Sequence, residues 1–127
     1  MIEKLKSFVE SLKTKQHHVS NTESATKQAR ILPLLALLGW DTTNIDEVYP
    51  EYMVENRRVD YSLRIKKENR VFIEVKKLGD DLENHQEQLL DYSFRQGIEI
   101  AILTNGITWW WYLPTKKGDW RARKFYK

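Results

Sequence analysis

Arg58-Val59-Asp60-Tyr61-Ser62-Leu63-Arg64-Ile65 and Arg70-Val71-Phe72-Ile73-Glu74-Val75-Lys76 decide the fold. Both stretches alternate. In the first, Val59, Tyr61, Leu63 and Ile65 share one face, and Asp60, Ser62 and Arg64 the other. In the second, Val71, Ile73 and Val75 lie opposite Phe72, Glu74 and Lys76. A period of two marks half-buried strands. The link Lys66-Lys67-Glu68-Asn69 is short and polar, which predicts an antiparallel hairpin. Apolar sides match only if even-numbered positions oppose even-numbered ones. That register gathers Asp60, Glu74 and Lys76, with cross-strand neighbours roughly 4.5–8 Å apart. Two hard carboxylate donors suit Mg²⁺, and an adjacent Lys can orient an attacking water. The competing reading is a charged solvent face on which Lys76 merely pairs with Glu74.

Composition sets the frame for this hairpin. The chain has 127 residues, 41% hydrophobic and 31% charged, which fits a globular protein of one domain. With no cysteine, disulfides and thiolate metal sites are excluded. The longest apolar run, Ile31 to Trp40, is too short to span a bilayer, and no secretory signal is visible. A cytoplasmic location is the default expectation. The net charge of +3 permits nucleic-acid binding without demanding it. Charge is unevenly spread. Lys116, Lys117, Arg121, Arg123, Lys124 and Lys127 crowd the C-terminal end, and Asp80, Asp81, Glu83, Glu87 and Asp91 crowd one helix.

The flanking segments supply helices and further strands. Ile2, Leu5, Phe8, Val9 and Leu12 form a helical stripe over 2–16. A second helix is expected over 21–38, with Ser20 and Glu23 at capping-box spacing, a kink at Pro33 and Gly39 closing it. The core is expected over 52–126, with Tyr52-Met53-Val54 a short strand or the lead-in to the Asp60 strand. Residues 80–96 read as a helix with Leu82, Leu89, Leu90 and Phe94 on its apolar side. Gln88 and Tyr92, four apart, are neighbours on its surface. Gly97 ends it. Ile98–Leu103 and Ile107–Leu113 are two strands around the Thr104-Asn105-Gly106 turn. Trp109 and Trp111 point one way, and Trp110 and Tyr112 the other. Trp120 to Tyr126 reads as a last strand.

The order is helix, strand, strand, helix, strand, strand, with Asp60 on one core strand, Glu74-Val75-Lys76 on the next, and Gln88-Leu89-Leu90-Asp91-Tyr92 on the following helix. This resembles the PD-(D/E)xK nuclease superfamily, and in particular the N-terminal nuclease domain of type I restriction enzyme R subunits and their stand-alone relatives. Glu23-Ser24-Ala25-Thr26-Lys27, Pro33-Leu34-Leu35, Leu38-Gly39-Trp40-Asp41 and Leu103-Thr104-Asn105-Gly106 carry the same likeness. The resemblance runs from Glu23 to about Tyr112. It departs from the pattern at Val59, where the family has proline.

The resemblance implies an α/β, restriction-endonuclease-like core. That core is a central mixed sheet of about four to five strands flanked by helices, in αβββαβ-type order, and 1–127 form a single domain, the N-terminal part of a longer protein. It implies that Asp60 and Glu74 are carboxylate ligands of Mg²⁺ or Mn²⁺, with the Val75 carbonyl a further ligand and Glu23 reaching the metal through water. Lys76 would position the water and stabilise charge on the phosphate, and Gln88 and Tyr92 would steady the substrate phosphates or the metal shell. The function implied is a metal-dependent endonuclease acting on DNA in restriction, with further domains or subunits of a restriction system, or a homodimer, as partners. Two rivals are a non-catalytic nucleic-acid-binding or regulatory module of the same fold, and a protein-interaction domain using the N-terminal helix and the aromatic strand.

Overall fold

The computed structural model describes residues 22–115 and 124–126, together with Glu3, Lys6, Ser7 and Glu10, which are helical and exposed. The apolar stripe expected over 2–16, and most of the expected last strand, lie outside the described residues. One sheet runs in the order β1 (Val48–Val54), β2 (Arg57–Ile65), β3 (Glu68–Val75), β4 (Ile100–Thr104), β5 (Trp109–Tyr112) and β6 (Lys124–Tyr126). Neighbours are antiparallel except β3 and β4, which are parallel. Six strands exceed the expected four to five. The difference lies at β1, which begins at Val48, ahead of the expected Tyr52.

Three consecutive helical segments precede the sheet in the chain. They are α1 (Glu23–Thr26), a π-helical turn (Lys27–Ile31) and α2 (Leu32–Leu37). Between β3 and β4 lie a 3₁₀ turn (Leu82–His85) and α3 (Gln86–Arg95), the crossover that a parallel pair requires. Each face of the sheet builds its own core. Ile31 and Leu35 pack with Tyr61, Leu63, Ile73, Val75 and Ile102. Leu82, Leu89, Leu90 and Tyr92 pack with Phe72, Leu103, Trp110 and Tyr112. Trp109 and Trp111 join the first cluster, so the aromatic strand divides its rings as expected. Phe94 does not join the apolar side of α3; it is exposed.

The hairpin has the predicted register. Ser62 opposes Phe72 and Tyr61 opposes Ile73, so even-numbered residues meet even-numbered ones there, while a bulge after Leu63 shifts the pairs nearer the turn, Arg64 opposing Asn69 and Ile65 opposing Glu68. The turn is Lys66-Lys67, with φ of 52° and 65°, the two positive values of a type I′ turn. Beyond Tyr61 and Ile73 the ladder stops, and the alternation of β2 breaks there. Val59 packs with Val54 and Phe72, on the side away from Tyr61 and Leu63; it still pairs with Tyr52 of β1, and the change of face falls at Asp60, where the β1 ladder skips Glu51 with its φ of 52°. Ile65, at the turn, is exposed.

Both main helical runs end in Schellman motifs. Trp40 N–H donates to the Leu35 carbonyl and Gly39 N–H to that of Ala36; Ile98 and Gly97 repeat this with Ser93 and Phe94. Pro33 produces no sharp break. It lacks the N–H that an α-helix would use and crowds the preceding carbonyls. The chain widens upstream instead, with Leu32 N–H donating to the Lys27 carbonyl five residues back.

Helix and sheet meet at Gly106, whose φ is +92°. A Cβ here would lie 2.8 Å from Cδ of Arg30 and 3.0 Å from Cγ2 of Thr26, and both residues are fully or almost fully buried. Gly106→Ala therefore combines backbone strain with overpacking, and is expected to cost about 2–4 kcal/mol. Thermal denaturation followed by circular dichroism checks this; an unchanged midpoint would show that the helix does not rest on this loop.

Candidate active site

Where β2 and β3 part, two side chains replace the missing ladder bonds. Val75 N–H donates to Oδ2 of Asp60 at 2.6 Å, and Asp60 N–H donates to Oε1 of Glu74 at 3.3 Å. Each carboxylate thus caps a donor on the other strand's backbone. Both are mostly buried, their side chains 12% and 16% exposed. Lys76 brings Nζ to 3.8 Å from Oε2 of Glu74. From α3, the Tyr92 hydroxyl donates to the same Oε2 at 3.5 Å. Asp60, Glu74, Lys76 and Tyr92 therefore converge on one patch, with Val75 between the two strand residues.

Glu23 is placed differently from the capping-box expectation. The N-cap is Thr22, whose Oγ1 accepts from Ala25 N–H at 3.2 Å. Its φ of −99° and ψ of 148° are the extended geometry a cap needs. Released from capping, Glu23 sets Oε1 at 3.8 Å from Lys76 Nζ. Lys76 is thus shared between Glu23 and Glu74. Gln88 is not brought in. It is exposed on α3 and makes no hydrogen bond or ion pair among the described residues. The buried glutamine is Gln86, whose Oε1 accepts from the Tyr112 hydroxyl and whose Nε2 donates to the Glu83 carbonyl. The 3₁₀ turn before α3 sets the helix phase so that Gln86 and Tyr92 face inward.

Lys27 is the site residue that sequence reasoning missed. Its Nζ lies 2.5 Å from Oδ1 of Asp60, and its side chain is only 19% exposed. In sequence it stands four residues after Glu23 and reads as an ordinary surface pair. It opens the π-helical turn, a feature often found at functional sites, and reaches Asp60 within β2.

Burial pushes the Glu74 carboxyl up to about 8; the adjacent Asp60 charge adds to this and Lys76 opposes it. Burial and the Glu74 and Asp60 charges likewise push the Tyr92 hydroxyl up. Burial, with Asp60 and Glu51, pushes Tyr61 up to about 12. Two carboxylates held this close, with hard oxygens and too little compensating charge, form a donor set that fits a divalent cation. Among the described residues no three Asp, Glu or His side chains cluster closely enough to hold a metal by themselves. A cation here would draw on Asp60 and Glu74, with the Val75 carbonyl and solvent completing its shell.

Comparison with known proteins places the fold. No protein-family model and no curated protein matches the chain. Among solved structures, the chain is similar to a fragment described as an HsdR subunit of a type I restriction enzyme from Vibrio vulnificus YJ016, at a TM-score of 0.63 and 22% identity. The match covers 74% of this chain and 21% of that one, so the chain spans about a fifth of that fragment's length. The fold is α/β and restriction-endonuclease-like. Among the described residues no helix is long and apolar enough to cross a membrane.

The Glu74 shift has a signature in solution. Its folded value, about 8, exceeds an unfolded value of about 4.3. Between those values the folded protein binds more protons than the unfolded one, so this contribution to stability is complete below about pH 4.3 and is lost as pH rises through about 8. Glu74→Gln removes the titration. The melting temperature of the wild type relative to that variant should fall progressively from pH 5 to pH 9. A constant difference would show that Glu74 ionises normally.

Proposed function

We propose that the chain is a metal-dependent endonuclease domain of the PD-(D/E)xK type that hydrolyses DNA phosphodiester bonds, in a restriction setting. The observation that carries this reading is the meeting of Asp60, Glu74 and Lys76 at the parted ends of β2 and β3, each reached through a named bond. The likeness in fold to the HsdR fragment supports it. A bound Mg²⁺ or Mn²⁺ would supply a Lewis acid for the phosphoryl oxygen and acidify water. Asp60 and Glu74 would hold that ion. The Lys76 ammonium lies beside Glu74 and bears the positive charge suited to an attacking water and to charge building on the phosphate. Tyr92 fixes the Glu74 oxygen that Lys76 also faces. Glu23 steadies the ammonium from the other side.

Asp60→Asn keeps the size of the side chain and an oxygen for the Val75 N–H, and Lys76→Ala leaves both carboxylates in place. Each variant should fold, judged by circular dichroism. Each should lose metal-dependent cleavage of plasmid DNA by about 10²–10³-fold or more. Full cleavage by both variants would overturn the assignment. Binding of DNA without cleavage under any divalent cation would favour a non-catalytic module of the same fold.

A further inference from the structure

Asp60 has two oxygens with different partners. Oδ2 is committed to the backbone, accepting from Val75 N–H at 2.6 Å. Oδ1 is held by the Lys27 ammonium at 2.5 Å. A cation seated between Asp60 and Glu74 would need the oxygen that has no backbone duty, which is the one Lys27 holds. A dication and an ammonium on that same oxygen also repel each other strongly in a site this buried. The ammonium must then give way, and the structure shows where it can go. Lys27 and Asp60 line one cavity of about 290 Å³, together with Ser24, Gln28, Leu32, Pro50, Glu51 and Tyr61; the Glu51 carboxylate there is paired with Arg58 at 3.5 Å. Ser24, Lys27 and Gln28 bring a hydroxyl, an ammonium and an amide to it, a set of hydrogen-bond donors suited to phosphate oxygens. The opposite wall is opened by β1. There Pro50 lacks an N–H and Glu51 has φ of 52°, so no ladder pair forms between Glu51 and Asp60.

We propose that Lys27 is an exchangeable partner of Asp60: it neutralises the carboxylate in the cation-free protein and, once a divalent cation takes Asp60, turns to a phosphate oxygen of a nucleic-acid strand in the adjoining cavity. This rests on the nuclease reading and adds to it a residue that binds substrate and sets the threshold for the cation. The flexible four-carbon stem allows the swing without movement of the helix. Because the ion pair opposes cation binding, removing it should strengthen that step while weakening the hold on nucleic acid. A merely structural lysine would not produce this opposed pair of effects.

The test uses Lys27→Met, with Lys27→Gln as the second variant should the first fail to fold. Mn²⁺ affinity of the DNA-free protein is read from the electron paramagnetic resonance of free Mn²⁺. The variant should bind Mn²⁺ about fivefold more tightly, or better, than the wild type. Binding of a short DNA duplex is then read by fluorescence anisotropy with Mn²⁺ across a salt series, in a Lys76→Ala background that leaves the duplex intact. Loss of one phosphate contact should weaken binding several-fold and reduce the slope of log affinity against log salt by about 0.9. Unchanged or weaker Mn²⁺ affinity in the variant, or an unchanged salt slope, overturns the Lys27 proposal alone. Absence of Mn²⁺ binding by wild type and variant alike removes the nuclease reading and this proposal with it. Binding by the variant when the wild type fails to bind supports the competition directly.

Discussion

The site depends on one exchange of hydrogen bonds. Past Tyr61 and Ile73 the strands no longer pair, yet Asp60 N–H and Val75 N–H remain donors that need acceptors. Glu74 and Asp60 supply them from across the gap. Intramolecular hydrogen bonds contribute about 0.5–1.5 kcal/mol each, and the two together help hold the parted strands in a fixed geometry. The same arrangement brings two carboxylates together out of water, which opposes their joint ionisation. Holding the backbone and straining the electrostatics are thus consequences of one geometry.

The surrounding elements explain why the strands part here. On one side β3 continues in register with parallel β4 up to Val75 and Thr104, and Lys76 N–H still donates to the Thr104 carbonyl. On the other side β2 leans on β1, whose regularity fails at Pro50 and Glu51. One edge of the gap is held without a break by β4, and the other is interrupted at Glu51 before β1 and β2 pair again from Tyr52 and Val59. The cluster lies at the carboxyl ends of the parallel pair, the part of an open α/β sheet where ligand crevices form. Lys27 reaches in from the helix on one face and Tyr92 from the helix on the other, so the gap is closed by both layers.

How much of this could be read from the sequence follows from where each signal resides. The faces of Val71, Ile73 and Val75 were legible because a full ladder enforces their alternation. Val59 broke the pattern because the strand changes face at Asp60, beside the irregularity of β1 at Glu51, and nothing in the Val59 stretch announces an irregularity on its neighbour. Glu23 looked like a capping residue because Ser20 stands three before it, but Thr22 is an equally good cap, and spacing alone does not choose between them. Gln88 took its role from the resemblance, four residues before Tyr92; both lie in α3, but Gln88 is exposed there and Gln86 is buried, which the offset alone does not reveal. Lys27 was invisible because its placement depends on a π-helical turn, which follows from the accommodation of Pro33 rather than from any residue beside it.

A resemblance in fold at 22% identity leaves chemistry to be argued from the site. The Asp60–Glu74 pair is costly for its structural task. Two backbone donors at the end of a hairpin are ordinarily satisfied by two more ladder bonds, or by uncharged Asn or Gln, with no repulsion between acceptors. Here acidic groups occupy both positions, most of their surface is withdrawn from water, and one of them is driven to retain its proton by burial and by the other's charge. Lys27 pairs closely with Asp60 at 2.5 Å, whereas Lys76 stands at 3.8 Å from both of its acids. Strained electrostatics of this kind concentrate where a protein does chemistry. A dication would relieve the repulsion between Asp60 and Glu74 while leaving the Lys76 ammonium beside it, and a purely architectural role provides no comparable reason for the arrangement.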